Sequence, residues 1–187
     1  MMKHLMLALL VPAAVVAQAR VPAEVQPIID SAVSAGLPSR PLVEKALEGA
    51  AKGASSQAIT GAVRALAAAL GTARVALGAA TADELNAGAV ALRLGARPED
   101  LTRLRTARKA SLVVPLGVLS DLVARGVPVD TASRVVVALA SQGDDEYLAF
   151  RQRVDRDIDL GAAPVGSVIG ALNSSGRAAL TTPGKRP

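Results

Sequence analysis

The carboxylates come first, because the chain offers little else with which to do chemistry. Its single histidine is His4, and it has no cysteine. Beyond residue 4, Ser–His and Cys–His nucleophile pairs, imidazole acid–base work and the usual zinc ligands are therefore absent. An enzyme would have to use carboxylates, Lys45, Lys52, Lys109 or Tyr147. Glu48 is the foremost candidate. Glu44, Glu48 and Lys52 stand at i, i+4 and i+8 on one helix face, and a Glu sunk beside a cleft serves as a general acid. Asp83 and Glu84 would be the alternative acids of a glycan-cleaving reaction. Sugar sites rely on flat apolar platforms, however, and Tyr147 and Phe150 are the only aromatics. The Glu48 spacing also describes a solvated face with an ordinary Glu48–Lys52 pair, since Val43 and Leu47 fall on another side. The sequence thus assigns no catalytic residue and keeps Glu48 as the weak candidate.

Asp155, Asp157 and Asp159 alternate as in a calcium loop, whose carboxylates wrap a hard cation. Such a loop needs Gly at its sixth position and Glu at its twelfth, and here those positions hold Leu160 and Gly166. Tyr147, Val154 and Ile158 instead trace a helical stripe through the segment. Arg151–Asp155 and Arg153–Asp157 then become i, i+4 pairs. The sequence predicts no metal site and no cofactor.

The strongest charge cluster is Arg93, Arg97, Arg103, Arg105, Arg108 and Lys109, set against Glu99 and Asp100. An anion-binding module would use Arg97, Arg105 and Arg108. Nucleic acid is a poor partner for this strip, because no aromatic interleaves it to stack a base. Arg105 and Arg108 fall beside Leu101 and Leu104 on the apolar stripe, where arginines more often snorkel or pair internally. Asp144, Asp145 and Glu146 offer such a partner. The formal net charge of +5 does not contradict this. Lys3 lies in the N-terminal leader, and Arg177, Lys185 and Arg186 lie in a last stretch without acids, so the body between is nearly neutral.

These residues need elements to hold them. The first nineteen residues carry Lys3, an apolar run from Leu5 to Ala17 broken by Pro12, and Ala17-Gln18-Ala19 before Arg20. That order of charge, short apolar run and small-x-small site is a cleavable signal peptide. A spanning helix needs about 20 apolar residues. The sequence therefore predicts export to the periplasm or medium, with no membrane span after cleavage. Arginine outnumbers lysine and Ala, Gly and Val abound, a composition suited to a GC-rich bacterial gene.

From residue 20 onward, apolar residues recur at helical spacing and no run alternates with period two. Ile59, Val63, Leu66, Leu70, Ala73 and Leu77 form the clearest stripe, behind an N-cap at Ser55-Ser56. Thr81 and Glu84 make a capping box. Pro41, Pro98, Pro128 and Pro164 suit first turns, and Gly36, Gly53, Gly95, Gly126, Gly143 and Gly161 suit helix ends. The periodicity predicts helices over 24–35, 41–52, 56–77, 82–94, 98–109, 114–125, 129–142, 145–160 and 164–172. Pro27 and Pro115 leave two starts open. Residues 173–187 lack periodicity and are expected to be a disordered tail.

The first core residue tends to fall six positions after the glycine, as in Gly36–Leu42, Gly53–Ile59, Gly95–Leu101, Gly126–Ala132 and Gly143–Ala149. This rhythm resembles that of α-helical repeat proteins, although none of their signature residues is present. The expectation is an all-α domain over 20–172, either an irregular bundle or a short α-solenoid-like array of helical hairpins. Gly49, Gly71, Gly78, Gly88 and Gly117 then mark close helix contacts in an Ala-rich core. The expected function is non-catalytic binding of an envelope protein or an anionic envelope component, with no nucleic acid.

Overall fold

A computed structural model describes the backbone of residues 20–181 and the side chains of residues 20–174. The predicted signal peptide, 1–19, lies outside the described residues, as does 182–187. A short 3-10 turn at Ala23–Val25 leads into α1 (Gln26–Ser34), α2 (Arg40–Ala51), α3 (Ser56–Leu77), α4 (Ala82–Arg93), α5 (Pro98–Ala107), α6 (Val113–Ala124), α7 (Val129–Ala138), α8 (Asp144–Asp159) and α9 (Pro164–Thr181). The described residues contain no strand. Pro27 falls in the first turn of α1 and Pro115 is the third residue of α6, so neither interrupts an established helix.

The packing pattern decides between bundle and array. α4, α6 and α8 stack on one another in one layer, and α1, α3, α5, α7 and α9 stack in a second. The layers are joined by α2 and α4 on α3, by α6 on α7 and by α8 on α9. Each substantial contact between α-helices joins neighbours or next-but-one neighbours along the chain, and the 3-10 turn at Ala23–Val25 also packs on α3. The result is a two-layer array rather than a bundle about one axis. Its core is made mostly of Ala, Leu, Val and Ile, including Leu42, Leu70, Leu101, Leu112 and Leu116, with Tyr147 and Phe150 fully buried in the later half.

Glycines build the joints. After α1, Leu37 N–H reaches the Ala32 carbonyl and Gly36 N–H reaches that of Val33, the paired bonds of a Schellman ending. The same pair recurs at Gly53, Gly95, Gly126 and Gly161, each with φ between 68° and 101°. A turn of fixed length delivers the chain into the next helix at a fixed rotation. Leu42, Ile59, Leu101 and Ala132 are accordingly buried six residues on.

Gly143 departs from the expected pattern. It has φ −72° and ψ 167° and stands as the N-cap of α8, not the end of α7. Its six-step partner Ala149 is only half-buried, whereas Gly161 leads to buried Ser167. Helix α7 stops at Ala138, short of the predicted 142, and residues 139–142 tighten into turns closed by Ala140 N–H to Val137 and Gln142 N–H to Leu139. Helix α9 continues to Thr181, nine residues past its predicted stop at 172, so helix occupies much of the expected tail.

The helical glycines divide. A Cβ on Gly88 would lie 3.1 to 3.2 Å from Leu77, Ala73 and Leu101, so α4 uses the missing side chain to approach α3 and α5. Gly49 likewise faces Ile59. Gly71 and Gly117 face open space, and Gly78 closes α3 with φ 66°.

Candidate functional site

The charged residues singled out by the sequence are widely dispersed, and most are held by internal partners. Glu48 is exposed on α2 and lies between Lys45 (2.8 Å) and Lys52 (2.5 Å). Hydrogen bonds from Lys45 and Lys52, reinforced by their charge, lower its carboxyl to about 2. A general acid must hold its proton near working pH, and Glu48 is in the opposite state. Asp83 is exposed at the start of α4.

Glu84 is buried, and its role exceeds the capping box. One carboxylate oxygen accepts Thr81 N–H (2.9 Å), while the other accepts both Leu112 N–H (2.9 Å) and the Arg105 guanidinium (2.5 Å). Burial pushes the Glu84 carboxyl up, but the bonds from Thr81, Leu112 and Arg105 outweigh it and hold the group below its ordinary range. The capping-box spacing revealed the Thr81 bond. Nothing in the sequence marked the reach from α4 to the loop before α6.

Arg108 is 8% exposed and acts as a clamp. It donates to the carbonyls of Ser111 (3.0 Å) and Gln142 (2.5 Å) and to Asp144 (2.6 Å), and it stands 5.5 Å over the Tyr147 ring. Asp144 is one of the three acids expected as a partner for this strip. Arg97, at the opposite end of α5, is exposed and bridges Asp130 on α7 (3.0 Å) and Asp100 (3.6 Å). Ten helical residues, about 15 Å, separate it from Arg108. Arg97, Arg105 and Arg108 therefore do not converge on a common anion site.

The α8 charges also pair differently from the expected i, i+4 scheme. Arg151 reaches Asp121 on α6 (2.7 Å), Arg153 reaches Glu146 (2.8 Å), and Asp155 and Asp159 both take Arg125. Stacking of α6 against α8 offers partners across the layer as near as those along the helix. Among the described residues, no three His, Cys, Asp or Glu side chains cluster as metal ligands.

The outer face of α3 is different in kind, because it is nearly free of charge. Helix α3 is the longest among the described residues, and its six core residues from Ile59 to Leu77 are buried. Its opposite face is Gln57, Gly61, Arg64, Ala65, Ala68, Thr72 and Val75, all open to solvent. A surface helix ordinarily carries charge on its outer side; this strip carries only Arg64, and Val75 is 86% exposed. α3 is also the one described helix with the length and apolarity to cross a membrane, by length and composition alone.

Grooves flank the strip on both sides. One of about 510 Å³ lies between α3 and α5, walled by Thr72, Val75, Ala76, Pro98, Glu99, Thr102 and Arg103. Another of about 440 Å³ lies between α1 and α3, walled by Ile28, Ala32, Leu37, Arg64, Ala67 and Ala68. The ridge and its two grooves form the outer surface of one layer of the array. Periodicity marks only the buried stripe of α3; the one sequence sign of its outer face is the uncharged run from Ala65 to Gly71. No family model, curated protein or solved structure matches the chain.

Proposed function

We propose that this is a non-catalytic helical protein that works outside the cytoplasm by binding another protein through the outer face of α3. One observation carries the reading: a ridge nearly free of charge, flanked by two largely apolar grooves, is left uncovered on a molecule whose candidate residues Glu48, Glu84, Arg97, Arg105 and Arg108 are all held by internal partners. An apolar surface of this kind, rimmed by polar residues, marks an interaction site more often than a solvated one. The leader pattern of residues 1–19 supports the location. The charge of the folded body, near balance, favours a protein surface over a polyanion.

The test is a photo-crosslinking side chain placed at Ala68 in the protein expressed in its own host, with a control at exposed Gln152 on α8. The reading expects a discrete adduct from Ala68 that Gln152 does not give, identified by mass spectrometry of the joined peptides. Equal labelling from both positions, or none from Ala68, would overturn it. The amino terminus of the recovered protein checks the location, with Arg20 as the expected first residue.

A further inference from the structure

We propose that the occupant of the α3 face is a second copy of this chain, seated about a two-fold axis near Ala68, with Arg64 of each copy paired to Glu99 of the other. The inference rests on reading the α3 face as a binding surface and adds the partner. Arg64 and Glu99 are the charges that single out this occupant. Arg64 lines the groove between α1 and α3, and Glu99 lines the groove between α3 and α5 at the level of Thr72 and Val75. Neither has an ion pair within 4 Å in the described chain, although most of the other charges near α5 do. Arg97 and Arg103 both hold Asp100, and Arg105 holds Glu84. Glu24 shares a hollow with Arg64 at the amino end of α3 without pairing to it.

The two charges thus stand diagonally across the ridge, opposite in sign, Arg64 near its middle on one side and Glu99 beside its Val75 end on the other. A self-complementary interface places the same patch on both copies. A two-fold axis lying in that interface and bisecting the line between two groups sets each group over its opposite number. Here the bisector passes close to Ala68, four residues after Arg64 and four before Thr72. It therefore yields two Arg64–Glu99 pairs at once, and the two α3 helices cross steeply rather than running side by side.

A steep crossing makes its contact over a short length, and the backbones must approach closely there. Gly61, Ala65 and Ala68 permit an interaxial distance of about 8 Å, the near end of the usual range. Val75 of each copy then gains an apolar neighbour in the second copy, which removes from water the most exposed large apolar side chain among the described residues. The rim pairs add little affinity and set the register.

Sedimentation equilibrium on the purified protein over a range of concentrations reads the outcome. The wild type is expected to be a dimer, Ala68→Glu a monomer with an unchanged helical circular-dichroism spectrum, and Arg64→Glu and Glu99→Arg each weaker by about tenfold or more. The double variant Arg64→Glu/Glu99→Arg restores the pairs with their signs exchanged and is expected to recover dimerisation. A wild type that stays monomeric overturns the proposal, as does a dimer that survives Ala68→Glu or a double variant no better than the singles. The Ala68 crosslink separates this failure from that of the binding face. An adduct of this chain with itself supports the dimer. An adduct with a different protein, or vesicle binding by a monomer, overturns the dimer, and only the former leaves the face a protein-binding one.

Discussion

Arg105 on α5 donates to the Glu84 carboxylate on α4 at 2.5 Å, and the oxygen it touches also accepts the backbone N–H of Leu112. One buried side chain therefore caps its own helix, binds the next helix and fixes the start of the one after. Glu84→Gln keeps a single carbonyl oxygen where the carboxylate used two. We predict that it costs about 2–3 kcal/mol, the range for a broken charge-assisted bond that leaves a buried donor unsatisfied. The loss is also pH-linked. Because the folded carboxyl lies below its unfolded value, its stabilisation is present above about pH 4.3 and is lost as pH falls through the folded value. Urea midpoints between neutral and acid pH should show a shallower acid decline in Glu84→Gln than in wild type. Parallel curves would remove Glu84 from the account.

Nine helix positions were legible in the sequence because each rests on local chemistry: the Ser55 cap, the Thr81–Glu84 box, prolines in first turns, and glycines where the chain must turn left-handed. The six-step rhythm was legible for the same reason. The layer arrangement was not, because a Schellman turn sets the rotation between two consecutive helices and says nothing of which helix lies two further on. Partner choice failed on similar grounds. Arg151 has an acid at i+4 in Asp155 and takes Asp121 on α6, and only the stacking of α6 on α8 determines that. Arg108 was legible as an internally paired arginine from its place on the apolar stripe, and Asp144 as a candidate partner. Its bonds to the Ser111 and Gln142 carbonyls, which close the ends of two loops, had no signal in the sequence.

Gly53 and Gly143 hold the same place in the six-step rhythm of the sequence and differ in the structure. Both have open space where a Cβ would go, so backbone conformation alone separates them. Gly53 holds φ 68°, and Gly143 holds φ −72° at the start of α8. Serine at Gly53 must occupy the left-handed region, at a cost of roughly 1–2 kcal/mol. Serine at Gly143 suits the N-cap, where its hydroxyl can accept a free amide of α8 and gains a few tenths of a kcal/mol. We predict opposite signs for Gly53→Ser and Gly143→Ser in thermal or urea unfolding. Equal destabilisation would mean that Gly143 also serves as a C-cap.

Tyr147 gives the third prediction, and its isolation makes the readout clean. It is the only tyrosine in the chain, fully buried, and its hydroxyl donates to the Val136 carbonyl at 2.6 Å. Burial pushes the phenol up to about 12, opposed by the charge of Arg108 over the ring. A group whose folded value is raised stabilises the fold fully below its unfolded value, near 10 for tyrosine, and loses that contribution as pH rises through the folded value. Between those limits the unfolded chain releases a proton that the folded chain keeps, so stability should fall by about 1.4 kcal/mol per pH unit from this group. The ultraviolet phenolate band of the wild type should therefore titrate either near 12 or together with loss of helical signal. Tyr147→Phe removes the phenol and its bond to Val136, lowering stability at neutral pH by about 1 kcal/mol while flattening the alkaline decline. A phenolate band that rises near pH 10 with helicity intact would show that Tyr147 is open to water and that the Arg108 clamp does not close over it.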